Sequence, residues 1–142
     1  MSILERAIEI AAKAHAGQVD KAGQPYILHP LRVMLRVSSE HERIAAVLHD
    51  VVEDTDVSLE RLVAEGFPPE VIAAVDALTK RPGESRLDAA HRAAADKIGR
   101  KVKLADNAEN MDLSRIQNPT TRDIARVEEY KAVREILLAR GA

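Results

Sequence analysis

Residues 41–54 read HERIAAVLHDVVED, and this stretch decides the fold class. Its apolar residues recur at spacings of three and four, which is the period of one helix face rather than of a strand. We therefore predict a helix over about residues 41–53, with an apolar face that begins at Ile44. The polar side chains near its C-terminal end share one arc of that helix: His49, Asp50, Glu53 and Asp54.

The same period runs through most of the chain between short breaks rich in glycine and proline. Ser58 is a predicted N-cap, Pro30 and Pro69 suit the first turn of a helix, and Gly99 is predicted to separate two helices. The fold class that follows is all-α, in a single domain over residues 1–142 with about seven or eight helices. Besides 41–53, the predicted helices span about residues 3–16, 30–37, 59–65, 69–79, 86–97, 100–112 and 121–140.

The composition excludes several classes of protein. With 46% hydrophobic and 31% charged residues, the chain is an ordinary globular protein. It has no cysteine, so disulfides and thiolate metal sites are excluded, and we expect a reducing, cytoplasmic location. No apolar run approaches the roughly 20 residues of a membrane span. A net charge of −2 with no basic stripe argues against a nucleic-acid partner.

Three carboxylates crowd the C-terminal end of the predicted helix 41–53, where the helix dipole is already negative. They also repel one another, and a bound dication would reverse both effects. An adjacent histidine and aspartate can bind one ion together, and His49 and Asp50 are such a pair. His29 and Asp106 are further candidates, although each alone equally fits a capping or surface residue, and spacing does not decide between these interpretations.

Five ordered motifs resemble one known family. The order His29, His49-Asp50, Asp106 resembles the ligand pattern of the HD phosphohydrolase superfamily. The surrounding strings are similar to the hydrolase domain of the RelA/SpoT branch, including the stand-alone small alarmone hydrolases. They are AHAGQ (14–18), KAGQPYILHP (21–30), LHDVVEDT (48–55), LTK (78–80) and VKLAD followed by NM (102–106, 110–111).

The resemblance implies a compact HD-type helical domain and a role for each matched residue. The implied ligands of one divalent metal, usually Mn²⁺, are His29, His49, Asp50 and Asp106. Glu53 and Asp54 are the implied pair that positions or deprotonates the attacking water, and Lys21 and Asn110 the implied substrate contacts. The implied reaction releases pyrophosphate from guanosine 3′,5′-bis(diphosphate). Lys103 is a further candidate for offsetting phosphate charge, or equally a surface lysine in a salt bridge.

Four residues depart from the family pattern. Asp20, Asn107 and Asp112 stand where cations are usual, and Glu109 stands where histidine is usual. Since neither Asp nor Asn can replace an arginine that grips phosphate, the substrate stays open. The alternatives are the 2′-phosphate of NADPH, an adenosine alarmone, a nucleoside monophosphate, or a non-catalytic nucleotide-binding module. Other segments could supply cations through Arg81, Arg86, Arg92 and Arg115.

The remaining polar and aromatic candidates are assigned structural roles. We expect His15 and Gln18 to brace the loop that carries Lys21, and Tyr26 to pack under that loop rather than stack on a base. His41 and His91 are expected at the surface. A small-molecule nucleotide is the expected partner, and the sequence leaves the oligomeric state open.

Overall fold

The computed structural model describes residues 3–141, and its regular elements in that range are α-helices. An isolated antiparallel bridge between Val19 and Pro25 is the β pairing that this part of the chain contains. The predicted all-α fold is confirmed. The helices are α1 (Ile3–Ala14), α2 (Leu28–Leu35), α3 (Glu40–Leu48), α4 (Val51–Asp54), α5 (Leu59–Ala64), α6 (Pro69–Leu78), α7 (Arg86–Ala94), α8 (Lys97–Met111) and α9 (Thr121–Gly141).

Helix α3 lies at the centre of the fold. Ser39 and Glu42 form a reciprocal capping box at its start, which satisfies two backbone N–H groups. Every residue from Ile44 to Leu48 is buried, and α3 packs against α1, α2, α6 and α8. The polar arc that the sequence predicts therefore lies beyond the end of this helix, beginning at His49.

The predicted helix over 41–53 is divided in two at His49 and Asp50. His49 donates its backbone N–H to Ala46, three residues back rather than four, and Asp50 has φ −102° and ψ −3°. A one-turn helix, α4, then begins at Val51. The apolar period continues across this break, which is why the sequence predicts one helix where the structure has two.

The break between α7 and α8 is also misplaced by the sequence. Gly99 was predicted to separate the two helices, but it lies in the first turn of α8, and the N-cap is Asp96, whose Oδ1 accepts the Gly99 N–H at 2.6 Å. A Cβ at Gly99 would lie 3.2 Å from Asp96 Cβ and 3.3 Å from the Ala93 carbonyl oxygen. Glycine therefore relieves close packing here and does not end a helix.

Helix starts with a local chemical signal agree better with the sequence. The Ser58 hydroxyl accepts the backbone N–H of Arg61, as an N-cap does, and Pro69 is the first residue of α6. Helix α2 begins at Leu28, two residues earlier than predicted, and Pro30 still falls in its first turn.

Two apolar clusters hold the helices together. The larger is buried among α1, α2, α3 and α6, and the smaller joins α7 to α9. Helix α8 contacts α2, α3, α6, α7 and α9, so it lies between the two clusters and carries Asp106 past the end of α3. Within the described range, no helix combines the length and the apolar character that crossing a membrane requires.

Candidate active site

The break after α3 presents two adjacent polar side chains to one point. The Nδ1 atom of His49 lies 2.5 Å from the Ala46 carbonyl oxygen, which fixes the orientation of the imidazole ring. Its Nε2 atom lies 3.1 Å from Oδ2 of Asp50. A continuous helix would direct these neighbours about 100° apart, so the break is what lets both converge.

Two other helices add a side chain each to this point. Asp106 on α8 places Oδ1 at 2.8 Å from Nε2 of His29, which lies in the first turn of α2, and at 3.3 Å from Nε2 of His49. The candidate ligand atoms of His29, His49 and Asp50 all lie within 4.8 Å of one another. The structure therefore brings together the four residues that the resemblance implies as metal ligands.

The hydrogen-bonding of His49 shows that this point favours a cation. A carbonyl oxygen only accepts, so Nδ1 carries the ring hydrogen and Nε2 of the neutral ring presents a lone pair to two carboxylates. Burial opposes a positive charge on His49, but Asp50 and Asp106 outweigh it and hold the pKa of His49 well above its usual range. The separations of about 3 Å between these imidazole nitrogens and carboxylate oxygens also fit ligand atoms that each lie about 2.1 Å from one ion.

Tyr26 holds one of these carboxylates in place. Its hydroxyl donates to Oδ2 of Asp50, and its ring lies 5.0 Å from that of His15 and 5.7 Å from that of His29, measured between centroids. Burial, and then the charge of Asp50, raises the pKa of Tyr26 above its usual range, so the hydroxyl remains a donor. The sequence predicted the packing of this ring but missed its hydrogen bond.

The acidic pair that follows is divided between two environments. Glu53 lines the cavity described below, and its Oε1 accepts the backbone N–H of Lys80 at 2.8 Å. Asp54 is absent from the lining residues, and its backbone carbonyl accepts a hydrogen bond from Gln18. Burial, and then the charges of Asp50 and Glu53, raises the pKa of Asp54 to about 6.

Two further candidates contact Asp106, which is itself a candidate metal ligand. Lys103 lies one turn earlier on α8, with Nζ 3.4 Å from Asp106 Oδ2, and Asn110 lies one turn later, with Nδ2 3.3 Å from Asp106 Oδ1. Both side chains line the cavity. Burial opposes the charge of Lys103, but Asp106 and Asp50 outweigh it and raise its pKa. Lys103 is therefore a cation of the site rather than a surface lysine.

A cavity of about 530 Å³ opens above these groups. That volume lies within the range of small-molecule sites, and the candidate metal ligands line the cavity. Its lining also includes apolar residues: Leu78, Ala89, Ala93, Leu113, Ile116 and Val133. The cations on its lining are Lys21, Lys80, Arg86, Lys103, Arg115 and Arg126. The guanidinium carbon of Arg86 lies 4.8 Å from the centre of the Tyr130 ring.

Of the four arginines that were candidates for extra charge, the structure brings two to the cavity. Arg86 and Arg115 line it. Arg81 instead bonds to Asp76 and to backbone carbonyls, and Arg92 bonds to Glu84 and to the Ala77 carbonyl. Arg126 was missed, since only the course of α9 past the cavity places it there.

The residues that depart from the family pattern have separate roles. Asp20 accepts a hydrogen bond from Arg115 at 3.2 Å. Asp20, Asn107 and Asp112 all line the cavity. The side chain of Asn107 also donates to the Tyr130 carbonyl at 2.8 Å, which ties α8 to α9. Glu109 is buried outside the cavity lining and accepts a hydrogen bond from Arg36 at 3.1 Å.

The predicted structural residues lie around this site. His15 is buried, its Nδ1 lies 2.9 Å from Oε1 of Gln18, and Gln18 reaches the backbone of Asp54, so the loop before α2 is braced against α4. His91 is exposed and His41 is half-buried. Lys21, carried by that loop, is 53% exposed and pairs with Asp123 at 3.2 Å.

Comparison with known proteins gives matches of three kinds. Residues 7–126 match the family model described as HD domain. A guanosine-3′,5′-bis(diphosphate) 3′-pyrophosphohydrolase of Borreliella burgdorferi is 42% identical over 79 residues, which are 53% of this chain and 12% of that protein. A probable GTP pyrophosphokinase of Mycobacterium leprae is 37% identical over 133 residues, 84% of this chain and 17% of that protein. The chain thus spans less than a fifth of the length of these relatives.

A solved structure matches over almost the whole chain. It is described as a metazoan ortholog of SpoT that hydrolyzes ppGpp and plays a role in starvation responses. The match has a TM-score of 0.78 at 26% identity and covers 99% of this chain and 85% of the other. The predicted resemblance to the RelA/SpoT hydrolase domain is confirmed by these matches.

Proposed function

Because the chain belongs to the HD domain family, we propose that it is a metal-dependent hydrolase of nucleotide phosphates or diphosphates, acting in a single HD-type domain. Its most specific form is 3′-pyrophosphohydrolysis of guanosine 3′,5′-bis(diphosphate) to GDP and pyrophosphate. The observation that carries the proposal is the convergence of four candidate ligand side chains, of which His29, His49 and Asp106 are buried, on the lining of a 530 Å³ cavity. The names of the pyrophosphohydrolase relative and of the metazoan structure support this substrate.

The metal would be held by His29, His49, Asp50 and Asp106. Two imidazole nitrogens with two carboxylates form a mixed donor set that suits Mn²⁺ better than Ca²⁺, and we propose Mn²⁺. When bound, such an ion lowers the pKa of water and polarises a phosphoryl oxygen. The protein's own part is to fix the direction of each ligand atom, through Ala46 for His49 and through Tyr26 for Asp50.

Glu53 is the proposed acceptor for the proton of the attacking water. Its Oε1 is occupied by the backbone N–H of Lys80, which aims the carboxylate and leaves Oε2 as the acceptor. Asp54, with its pKa near 6, is mostly ionised at pH 7 and supports the negative charge of this region. The water oxygen bonds to phosphorus, the bond from phosphorus to the sugar oxygen breaks, and that oxygen takes up a proton.

Three side chains are the proposed substrate contacts. Lys103 lies beside Asp106 and would offset the negative charge that grows on the reacting phosphoryl group. The amide of Asn110 lies at the same wall and can donate to the sugar or to a phosphate oxygen. Lys21 also lines the cavity, and Asp123 already pairs with it.

A nucleotide with fewer phosphates is the second candidate substrate. The observation that favours it is the pairing of Arg115 with Asp20 and of Lys21 with Asp123, because a polyphosphate would meet cations that are already neutralised. NADPH, through its 2′-phosphate, and a nucleoside monophosphate belong to this class, whereas an adenosine alarmone differs from the guanosine compound in its base and is a separate alternative. The placement of Glu53 on the cavity disfavours a module that only binds nucleotide, since binding needs no proton acceptor.

A panel of these nucleotides, incubated with the Mn²⁺-loaded protein and read by product identity, tests the proposal. We expect pyrophosphate from the guanosine 3′-diphosphate. Release of orthophosphate from NADPH, with no product from the other nucleotides, would favour the second candidate substrate class instead. Saturable nucleotide binding without turnover under any divalent metal would contradict hydrolysis itself.

A further inference from the structure

Two ion pairs connect separate segments of the cavity lining. Asp20 and Lys21 are adjacent in the loop between α1 and α2, and they pair with Arg115, which lies between α8 and α9, and with Asp123 of α9. Both distances are 3.2 Å. We call these four residues the rim pairs.

The acids of the rim pairs are held more firmly than the cations. Asp20 Oδ1 accepts the backbone N–H groups of Ala22 and Gln24, both at 2.9 Å, so only Oδ2 is turned to Arg115. The Asp20 side chain is 13% exposed and that of Arg115 is 34% exposed. A substrate can therefore draw the arginine away, but it cannot displace the carboxylate, which remains as a fixed negative charge on the cavity lining.

The position of this charge matters for the part of the nucleotide that does not react. When the reacting phosphate lies at the metal ligands, a second anionic group can meet the cations of the rim pairs, since Lys21 and Arg115 line the same cavity and are 53% and 34% exposed. Every further negative charge there competes with Asp20 for Arg115 and is repelled by it. A fixed like charge of this kind selects among ligands by penalising the more highly charged ones.

We propose that Asp20 is a specificity-determining residue that discriminates against nucleotides with a 5′-triphosphate. The inference deepens the proposed function and rests on it, because it takes the reacting phosphate to lie at His29, His49, Asp50 and Asp106. The expected order of kcat/KM for guanosine 3′-diphosphates is 5′-monophosphate and 5′-diphosphate above 5′-triphosphate.

The test removes the charge of Asp20 and keeps the conformation of its loop. In Asp20→Asn, the side-chain oxygen can still accept the N–H groups of Ala22 and Gln24, while Arg115 is released. Glu128→Gln is the matched control, since it makes the same change in net charge at an exposed pair with Lys131 outside the cavity lining. The double variant Asp20→Asn with Arg115→Gln tests whether the released Arg115 is the group that binds the additional phosphate.

We expect Asp20→Asn to raise kcat/KM for the 5′-triphosphate about tenfold, on the scale of one partly solvated ion pair, and to change the 5′-monophosphate little. Glu128→Gln should leave both values unchanged, and the double variant should lose the gain. A wild type indifferent to the number of 5′-phosphates would overturn the inference. So would an Asp20→Asn variant weakened toward all of them, because Asp20 would then be an anchor that positions Arg115.

Binding of the same guanosine 3′-diphosphates, with one, two or three 5′-phosphates, to the Mn²⁺-loaded protein, measured by calorimetry, separates this inference from the proposed function. If none of them is hydrolysed but binding of the 5′-triphosphate still rises selectively in Asp20→Asn, the proposed reaction fails and the discrimination stands. Equal affinity for the three nucleotides in wild type and variant, or no binding of any, overturns the discrimination.

Discussion

Asp50 is held by two neighbours of different kinds. Tyr26 donates a hydrogen bond to its Oδ2, and Nε2 of His49 lies 3.1 Å from the same oxygen. A carboxylate that is oriented by an outer hydrogen-bond donor has less freedom to lose when it binds a cation. Most of the chemistry proposed for this protein depends on such supporting contacts at single residues.

Substituting Tyr26→Phe tests the supporting contact to Asp50. The phenyl ring keeps the packing against His15 and His29, and the donor is lost. We expect the affinity for Mn²⁺, measured by calorimetric titration, to fall about tenfold, the lower end of the range for lost outer-shell partners. The thermal midpoint of the metal-free variant serves as the control for folding. Unchanged affinity would show that Tyr26 only packs.

Substituting Asp54→Asn should separate stability from activity. Burial and the charges of Asp50 and Glu53 raise the pKa of Asp54 to about 6 in the folded protein, above its ordinary value near 3.8. Its ionised form is therefore destabilising in the native state at pH 7. We expect the metal-free variant to be more stable at pH 7 by about 1 kcal/mol, after allowing for solvent screening.

The same substitution should lower kcat, because the site loses a charge near Glu53. The gain in stability should vanish as pH falls below about 4, where Asp54 is protonated in both states. Urea unfolding at the two pH values, with a chelator present, is the measurement. A variant that is less stable than wild type at pH 7 would contradict the assigned environment.

At the scale of the helices, the start of α3 is tied to α8 by one buried carboxylate. Glu42 accepts the N–H groups of Ser38 and Ser39 and pairs with Lys101 at 3.1 Å. Burial opposes the charge of Glu42, but these donors outweigh it and hold its pKa below the usual value. This contact fixes the central helix, which ends at His49, against the helix that carries Asp106.

Substituting Glu42→Gln should destabilise the fold by about 1–2 kcal/mol at pH 7, because the ion pair with Lys101 is lost and the hydrogen bonds to Ser38 and Ser39 are no longer charged, although glutamine can still form the capping box. A carboxyl group with a depressed native pKa stabilises the protein above its unfolded pKa near 4.5, and that contribution is lost as pH falls through the native pKa. The difference from wild type should thus shrink by pH 3. Glu40→Gln, an exposed change in the same helical turn, is the control and should cost a few tenths of a kcal/mol.

Helix boundaries show which elements the sequence can predict. The starts at Ser58 and Pro69 are determined by one residue each, and both were predicted. The break at His49 is not visible in the apolar period, because Val51 and Val52 continue the pattern on its far side. A glycine such as Gly99 usually indicates the end of a helix, but here the glycine accommodates the close approach of Asp96.

At the scale of the whole molecule, the site exists because three distant parts of the chain meet. His29 and Asp106 are 77 residues apart in sequence and 2.8 Å apart in the structure. Their spacing in the sequence does not indicate that they meet, whereas the ordered family motifs do. Of the rim pairs, only Lys21 belongs to a matched motif, and Arg115 is 95 residues from Asp20, so only the structure places these residues together.

The most direct test of the account is the rate of pyrophosphate release from guanosine 3′,5′-bis(diphosphate) as Mn²⁺ is added back after chelation, in wild type and in Asp50→Asn. The four converging ligands predict saturable recovery in the wild type and none in the variant, with both proteins folded by circular dichroism. Turnover retained by Asp50→Asn, or by the chelated wild type, would contradict the metal centre on which the account rests.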